Sequence, residues 1–175
     1  MLQAQKTRRI CSTIVMTSLF TWASAQVVAQ AQNGSDPHSY MLASLQGDYA
    51  VVNHYGANLA LGIGTEQFDG NGRCKGTLLL NRPTLTGARE LVPLTSTGTY
   101  SVNQDGTGTI LLEVTLPDGS IRTATEDFVI TRSEFIRGAL VGTAITDEQR
   151  EPSLVLGNGV FLTQSYTRRG EKPEE

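Results

Sequence analysis

Thr97-Gly98-Thr99-Tyr100-Ser101-Val102-Asn103-Gln104-Asp105-Gly106-Thr107-Gly108-Thr109-Ile110-Leu111-Leu112-Glu113-Val114-Thr115-Leu116 holds a complete hairpin. Runs of Thr, Tyr, Val, Ile and Leu flank one Asp-Gly pair. Such runs favour extended backbone, and Asp-Gly tolerates the positive φ that a tight reversal needs. The same punctuation recurs at Asp69-Gly70 and Asp118-Gly119, and as Asn158-Gly159. The chain therefore reads as a succession of antiparallel hairpins.

Working outward, the first strand runs from Gly47 to about Tyr55 and the second from Leu59 to Phe68. In the second, Leu59, Leu61 and Ile63 share one face by alternation, with Gly62 and Gly64 opposite. Glycine within a strand marks a bend or a close approach, as a tightly curved barrel wall requires. The third strand is Arg73 to about Arg82, where Cys74, Leu78 and Leu80 alternate with Arg73, Lys75 and Thr77. Pro83 and Pro93 bound a longer connection over 83–94. Strands follow at Thr97–Asn103, Thr109–Leu116 and Ile121–Thr131, with Glu126-Asp127 marking a bulge in the last. Arg132-Ser133-Glu134 reads as a turn into Phe135–Thr146. Asp147 to Pro152 is a charged loop before a final β region, Leu154–Thr167.

This gives an all-β domain of about eight strands, for which a closed barrel and a sandwich both serve. Sequential hairpins favour the antiparallel up-and-down barrel. Closure also removes exposed edges, which suits a domain without a disulfide. A length of 175 residues with 18 glycines fits one turn-rich domain, spanning residues 44–169.

The first 25 residues read as a signal peptide. Lys6, Arg8 and Arg9 form a basic start, Ile10 to Trp22 an apolar stretch, and Ala23-Ser24-Ala25 a cleavage motif. The apolar stretch falls short of the roughly 20 residues that a membrane span needs. Residues 26–43, rich in Gln, Ala and Ser, read as a loose mature N-terminus, and 170–175 as a solvated tail. Export to a periplasmic or extracellular compartment is the expectation. Cleavage leaves 11 basic against 17 acidic residues, a charge of −6. That balance argues against nucleic acid as a partner. Cys74 is then the lone cysteine, read as a buried thiol.

Three segments carry a resemblance: Leu45-Gln46-Gly47-Asp48-Tyr49-Ala50, Phe68-Asp69-Gly70-Asn71-Gly72 and Gly98 to Thr109. Together they resemble a group of small exported bacterial proteins of unknown function, similar to calycin or allene-oxide-cyclase-like β-barrels. The resemblance covers about residues 45–130 and departs after Phe135. It implies a calycin-like barrel and carries over no catalytic residue.

Chemistry is sparsely marked. Asp69 and Asn71 open like a calcium loop, but the twelfth position is Leu80, which cannot ligate, so the segment reads as a hairpin turn and no metal site is assigned. No nucleophile elbow occurs, and His54 is the one histidine within the predicted domain, so no catalytic set and no cofactor are assigned. Alternation places Glu66 and Glu113 on solvent faces. Arg137 shares parity with Phe135, Ala139, Val141 and Ile145, which makes it a candidate inward-facing cation. Tyr49, His54, Tyr100 and Arg137 are the candidate ligand-binding residues, with Tyr55 and Tyr166 as further possible cavity walls. The leading expectation is a barrel that binds a small, mostly apolar molecule or serves as an envelope interaction module. The alternatives are a barrel cyclase or isomerase, and a filled structural barrel.

Overall fold

A computed structural model describes residues 39–56, 59–153, 156 and 159–170. The signal-peptide reading of residues 1–25, the remainder of the N-terminal segment to residue 38, and residues 171–175 lie outside the described residues. Eight strands follow one 3-10 turn at Leu42–Ser44: β1 Gln46–Tyr55, β2 Ala60–Asp69, β3 Arg73–Pro83, β4 Arg89–Val102, β5 Thr107–Thr115, β6 Ile121–Ile136, β7 Ala139–Gln149 and β8 Leu162–Arg168. They form a closed up-and-down barrel in chain order, and β8 pairs antiparallel with β1 to seal it.

The three Asp-Gly reversals share one construction. Asp105 Oδ1 accepts the Thr107 N–H at 3.0 Å and its hydroxyl at 2.7 Å; Asp118 Oδ1 does the same for Ser120 at 2.9 and 2.7 Å. Asp69 Oδ1 accepts the N–H groups of Asn71 and Arg73, at 2.7 and 2.9 Å. The side chain of each Asp thus substitutes for a backbone acceptor while the following Gly takes the positive φ.

Elsewhere the strands run differently from their sequence pattern. β6 continues through Arg132-Ser133-Glu134, absorbing a register shift between Ile130 and Ser133. Pairing at Glu126 and Asp127 is regular, so the bulge lies several residues later than those two acids suggest. The β6–β7 reversal is the two-residue loop Arg137-Gly138, with φ of 52° and 82°. Both central residues at positive φ define the hairpin geometry that usually selects Asn-Gly or Asp-Gly. β4 begins at Arg89, so the segment around Pro93 is strand. Its pairing with β5 starts only at Thr95, so the N–H that Pro93 lacks is not missed by that ladder. β7 runs on to Gln149, so residues 147–149 are strand rather than part of a charged loop, and β8 begins only at Leu162.

Inward-facing glycines let the wall curve. A Cβ on Gly64, Gly98 or Gly108 would run into the backbone carbonyl of Thr77, Leu111 or Ser101 on the adjacent strand. The face of β2 that points inward is accordingly Ala60, Gly62, Gly64, Glu66 and Phe68, and Leu61 and Ile63 face out. Glu66 is therefore buried, against the expectation of a solvent-facing carboxylate, whereas Glu113 does face out.

Two apolar clusters fill the barrel. One contains Leu45, Tyr49, Phe68, Tyr100, Phe128, Ile145 and Tyr166. The other contains Tyr55, Ala60, Leu80, Val92, Leu94 and Leu162. The first is capped by the incoming chain. Leu45 is fully buried, the Tyr40 N–H donates to Gln104 O at 3.2 Å, and the Tyr40 and Ser133 hydroxyls lie 3.0 Å apart. Residues 39–43, read from sequence as part of a loose terminus, thus dock on the barrel.

Candidate functional site

Between the two clusters lies a cavity of about 70 Å³. A water molecule needs roughly 10–15 Å³ on this measure, so the space admits a group of about five non-hydrogen atoms. Val51, Leu112 and Tyr166 supply walls from one cluster, and Tyr55, Leu94 and Leu162 from the other. The polar lining comes from Asn53, Glu66, Ser96, Glu126, Gln149, Ser153 and Gln164 and from Thr77, Thr95 and Thr123, with exposed Arg122 at its edge.

Strand register assembles this belt. Asp147 on β7 pairs with Gln164 on β8, which pairs with Asn53 on β1. Glu126 on β6 pairs with Gln149 on β7. Glu66 on β2 pairs with Gly76 on β3, which pairs with Ser96 on β4. A Cβ at Gly76 would collide with the Glu66 carboxyl, so the missing side chain makes room for the acid. Ser96 Oγ donates to Glu66 Oε2 at 3.2 Å, and the Cys74 thiol is a second donor to that carboxyl.

Three carboxyls are buried here: Glu66, Glu126 and Asp147. Burial removes water from each and disfavours the ionised form. It pushes Glu66 up to about 7, with the Cys74 and Ser96 hydrogen bonds opposing the shift and Asp147 reinforcing it. Asp147 is also raised by burial, and is held back by donors: Tyr166 Oη at 2.7 Å, Gln164 Nε2 at 3.3 Å, and Glu126. Glu126 goes well above the carboxylate range, first through burial and then through the negative charge of Asp147. Interaction between the two acids raises Glu126 further and holds Asp147 back, so Glu126 is the one more strongly driven toward its neutral form. Burial and the acids beside it raise the Tyr166 phenol, which stays a neutral donor.

The belt is short of donors. Asn53 Oδ1, Glu66 Oε1, Glu126 Oε2 and Gln149 Oε1 line the cavity, and Asp147 Oδ1 lies in the same belt; none has a hydrogen-bond partner. Each is an acceptor. A buried acceptor left unmatched costs about 1–3 kcal/mol, so the belt costs stability unless something enters to serve it.

None of the four residues singled out from sequence lines the cavity. Tyr49 packs edge-on to Phe68 at 5.3 Å, and its hydroxyl donates to Gly142 O at 2.6 Å. Tyr100 stacks edge-on to the other side of Phe68 at 5.2 Å, its hydroxyl donating to Leu45 O at 2.8 Å. Both belong to the filled end. His54 lies on the exposed outer face of β1. Arg137 is in the exposed β6–β7 turn, because that two-residue reversal breaks the parity that linked it to Val141 and Ile145. Tyr55 and Tyr166 do line the cavity. The sequence signal for the acids was available in part: Glu66 shares parity with Gly62, Gly64 and Phe68, a small-and-aromatic face suited to the inside of a narrow barrel.

No protein-family model matches the chain, and neither a curated protein nor a solved structure matches it.

Proposed function

We propose that this protein is a small-molecule-binding barrel and that its site is the acid-lined cavity between the two apolar clusters. The observation that carries the reading is the set of unpartnered buried oxygens facing a space of about 70 Å³. A purely structural barrel gains nothing from such a layer, since an apolar filling of the same volume avoids its desolvation cost. A binding site needs a few oriented polar groups among apolar walls, which is the composition of this lining. The reading extends to an exported protein of calycin-like kind. Its support is the basic start, apolar stretch and Ala-x-Ala motif before residue 26, together with the resemblance over residues 45–130.

Catalysis is the second reading, favoured by one observation. Glu126 and Asp147 are buried together with a third acid, Glu66, and all three carboxyls are raised, an arrangement able to donate and accept protons in an isomerisation or cyclisation.

Native mass spectrometry of the folded protein, with the denatured chain as mass reference, tests the binding reading. A reproducible added mass that disappears on unfolding supports it. A bare mass, joined to unchanged melting across a set of compounds of about five to eight non-hydrogen atoms, overturns it.

A further inference from the structure

We propose that the cavity accepts a small organic cation, an alkylammonium with a short apolar body, whose N–H groups donate to Glu66 Oε1, Asn53 Oδ1 and Gln149 Oε1. This rests on the binding reading and adds the chemical class of the occupant.

The argument is one of matching. Asn53 is 3% exposed and Gln149 6%, so water outside the barrel does not serve their unpartnered oxygens. The atoms left unpartnered in the lining are oxygens, which select a donor, and a carboxylate or phosphate ligand would add acceptors to carboxyls already short of donors. The charge balance has the same sign. Glu66 and Glu126 line the cavity and Asp147 stands behind them, whereas among the described residues Arg122 is the only basic one in the lining. Arg122 is exposed, and its charge acts on Asp118 in the β5–β6 turn. An ionised Glu66 cannot turn to present a donor as an amide can, so a cation in the cavity would supply both the missing donor and a buried counter-charge. An organic cation fits better than a metal ion. Among the described residues, no three His, Cys, Asp or Glu side chains gather closely enough to ligate one. Half the cavity wall is also aliphatic or aromatic, where an alkyl body gains by leaving water.

Binding should be coupled to a proton. The titratable and charged groups around Glu66 are Cys74 from β3, Glu126 and Arg122 from β6, Asp147 from β7, and the phenols of Tyr55 and Tyr166 from β1 and β8, with Asp48, Lys75 and Arg169 around the second pocket that Glu66 also lines. Burial holds the Glu66 proton up to about 7, so a cation must displace that proton at lower pH. Affinity then rises about tenfold per pH unit toward about 7 and levels above it.

Three probes of five non-hydrogen atoms test the proposal: n-butylammonium, 1-butanol and propionate. Each is titrated into the full chain at pH 8 and pH 5.5 by calorimetry, with amide chemical shifts locating the site. The expected result is butylammonium binding at pH 8, at least tenfold tighter than 1-butanol. Its shifts should centre on residues around Asn53, Glu66 and Gln149. At pH 5.5 its affinity should fall at least tenfold, and propionate should show no cavity binding at either pH. Glu66→Gln should abolish both the preference for the cation and the pH dependence. Gln149→Met, which keeps bulk and removes the acceptor, should weaken butylammonium more than 1-butanol. Glu113→Gln, on the outer face, should change neither. Equal binding of butylammonium and 1-butanol, or tighter binding of propionate, overturns the cation proposal and leaves the binding reading standing. Silence from all three probes, with cavity shifts unchanged, overturns the proposal; the binding reading falls with it only if native mass spectrometry also returns a bare chain.

Discussion

The closed end of the barrel and the layer beneath it are built on the same strands and solve burial in opposite ways. At the closed end, two phenols bracket Phe68, and their hydroxyls donate to the carbonyls of Gly142 and Leu45. In the acidic belt, Glu66, Glu126 and Asp147 each keep an oxygen with no donor. The first region spends its polar atoms on fixing the chain that plugs the barrel. The second leaves them open toward a space. A core can thus be well packed and specific in one layer while carrying unmatched polar atoms in the next, and the difference lies in donor supply rather than in burial.

The largest expected effect lies at the closed end. Phe68→Ala removes the ring between Tyr49 and Tyr100 and should cost about 3–5 kcal/mol in urea unfolding. A cost under 1 kcal/mol would mean that the aromatic layer does not hold the barrel together.

Next comes the belt, where the sign reverses. Glu66 has its folded pKa raised from 4.5 to about 7, so the fold binds its proton more tightly than the unfolded chain does. Its contribution is fully present below about 4.5 and is lost as pH rises through about 7. The unliganded protein should therefore lose stability over that window, by on the order of 2–4 kcal/mol from this group. Glu126 and Asp147 act in the same direction. Hydrogen bonds lower the turn aspartates Asp69, Asp105 and Asp118 instead, so what they contribute is lost only at more acidic pH. Glu66→Gln should match the wild type near pH 4.5 and exceed its stability at pH 8. Melting curves across that range check this, and a Gln variant less stable than wild type at pH 8 would break the contrast between the two layers.

Tyr166→Phe sharpens it. The change deletes the 2.7 Å donor to Asp147 Oδ2 and should cost about 1–3 kcal/mol, more at pH 8 than at pH 5 because the lost bond favours the ionised acid. Equal cost at both would show that the phenol serves packing alone. The smallest effect belongs to the periphery. Gly119→Ala should cost about 1–2 kcal/mol through its φ of 79° alone, since a Cβ there meets nothing within 4 Å.

The hairpins anchored by Asp69, Asp105 and Asp118 were legible because a local side-chain hydrogen bond and a glycine make each turn within a few residues. The β6–β7 hairpin was not. Arg137 occupies a left-handed position that its chemistry does not advertise, and the regular strand character of β6 carries on past the polar Arg132-Ser133-Glu134. Alternation in β2 correctly grouped Leu61 with Ile63, and Glu66 with the glycines. It could not say which group faces inward. Apolar content pointed one way, and the packing of Gly64 against Thr77 and of Glu66 over Gly76 decided the other. The candidate site was lost with that choice.

From the sequence alone came an all-β chain of about eight strands and most of its reversals, because turn chemistry and strand propensity act over a few residues. Only the tertiary structure decided which face of each strand is inside and which side chains meet. Closure sets the register of all eight strands at once, and that register brings Asn53, Glu66, Glu126, Asp147, Gln149 and Gln164 into one buried belt from five different strands.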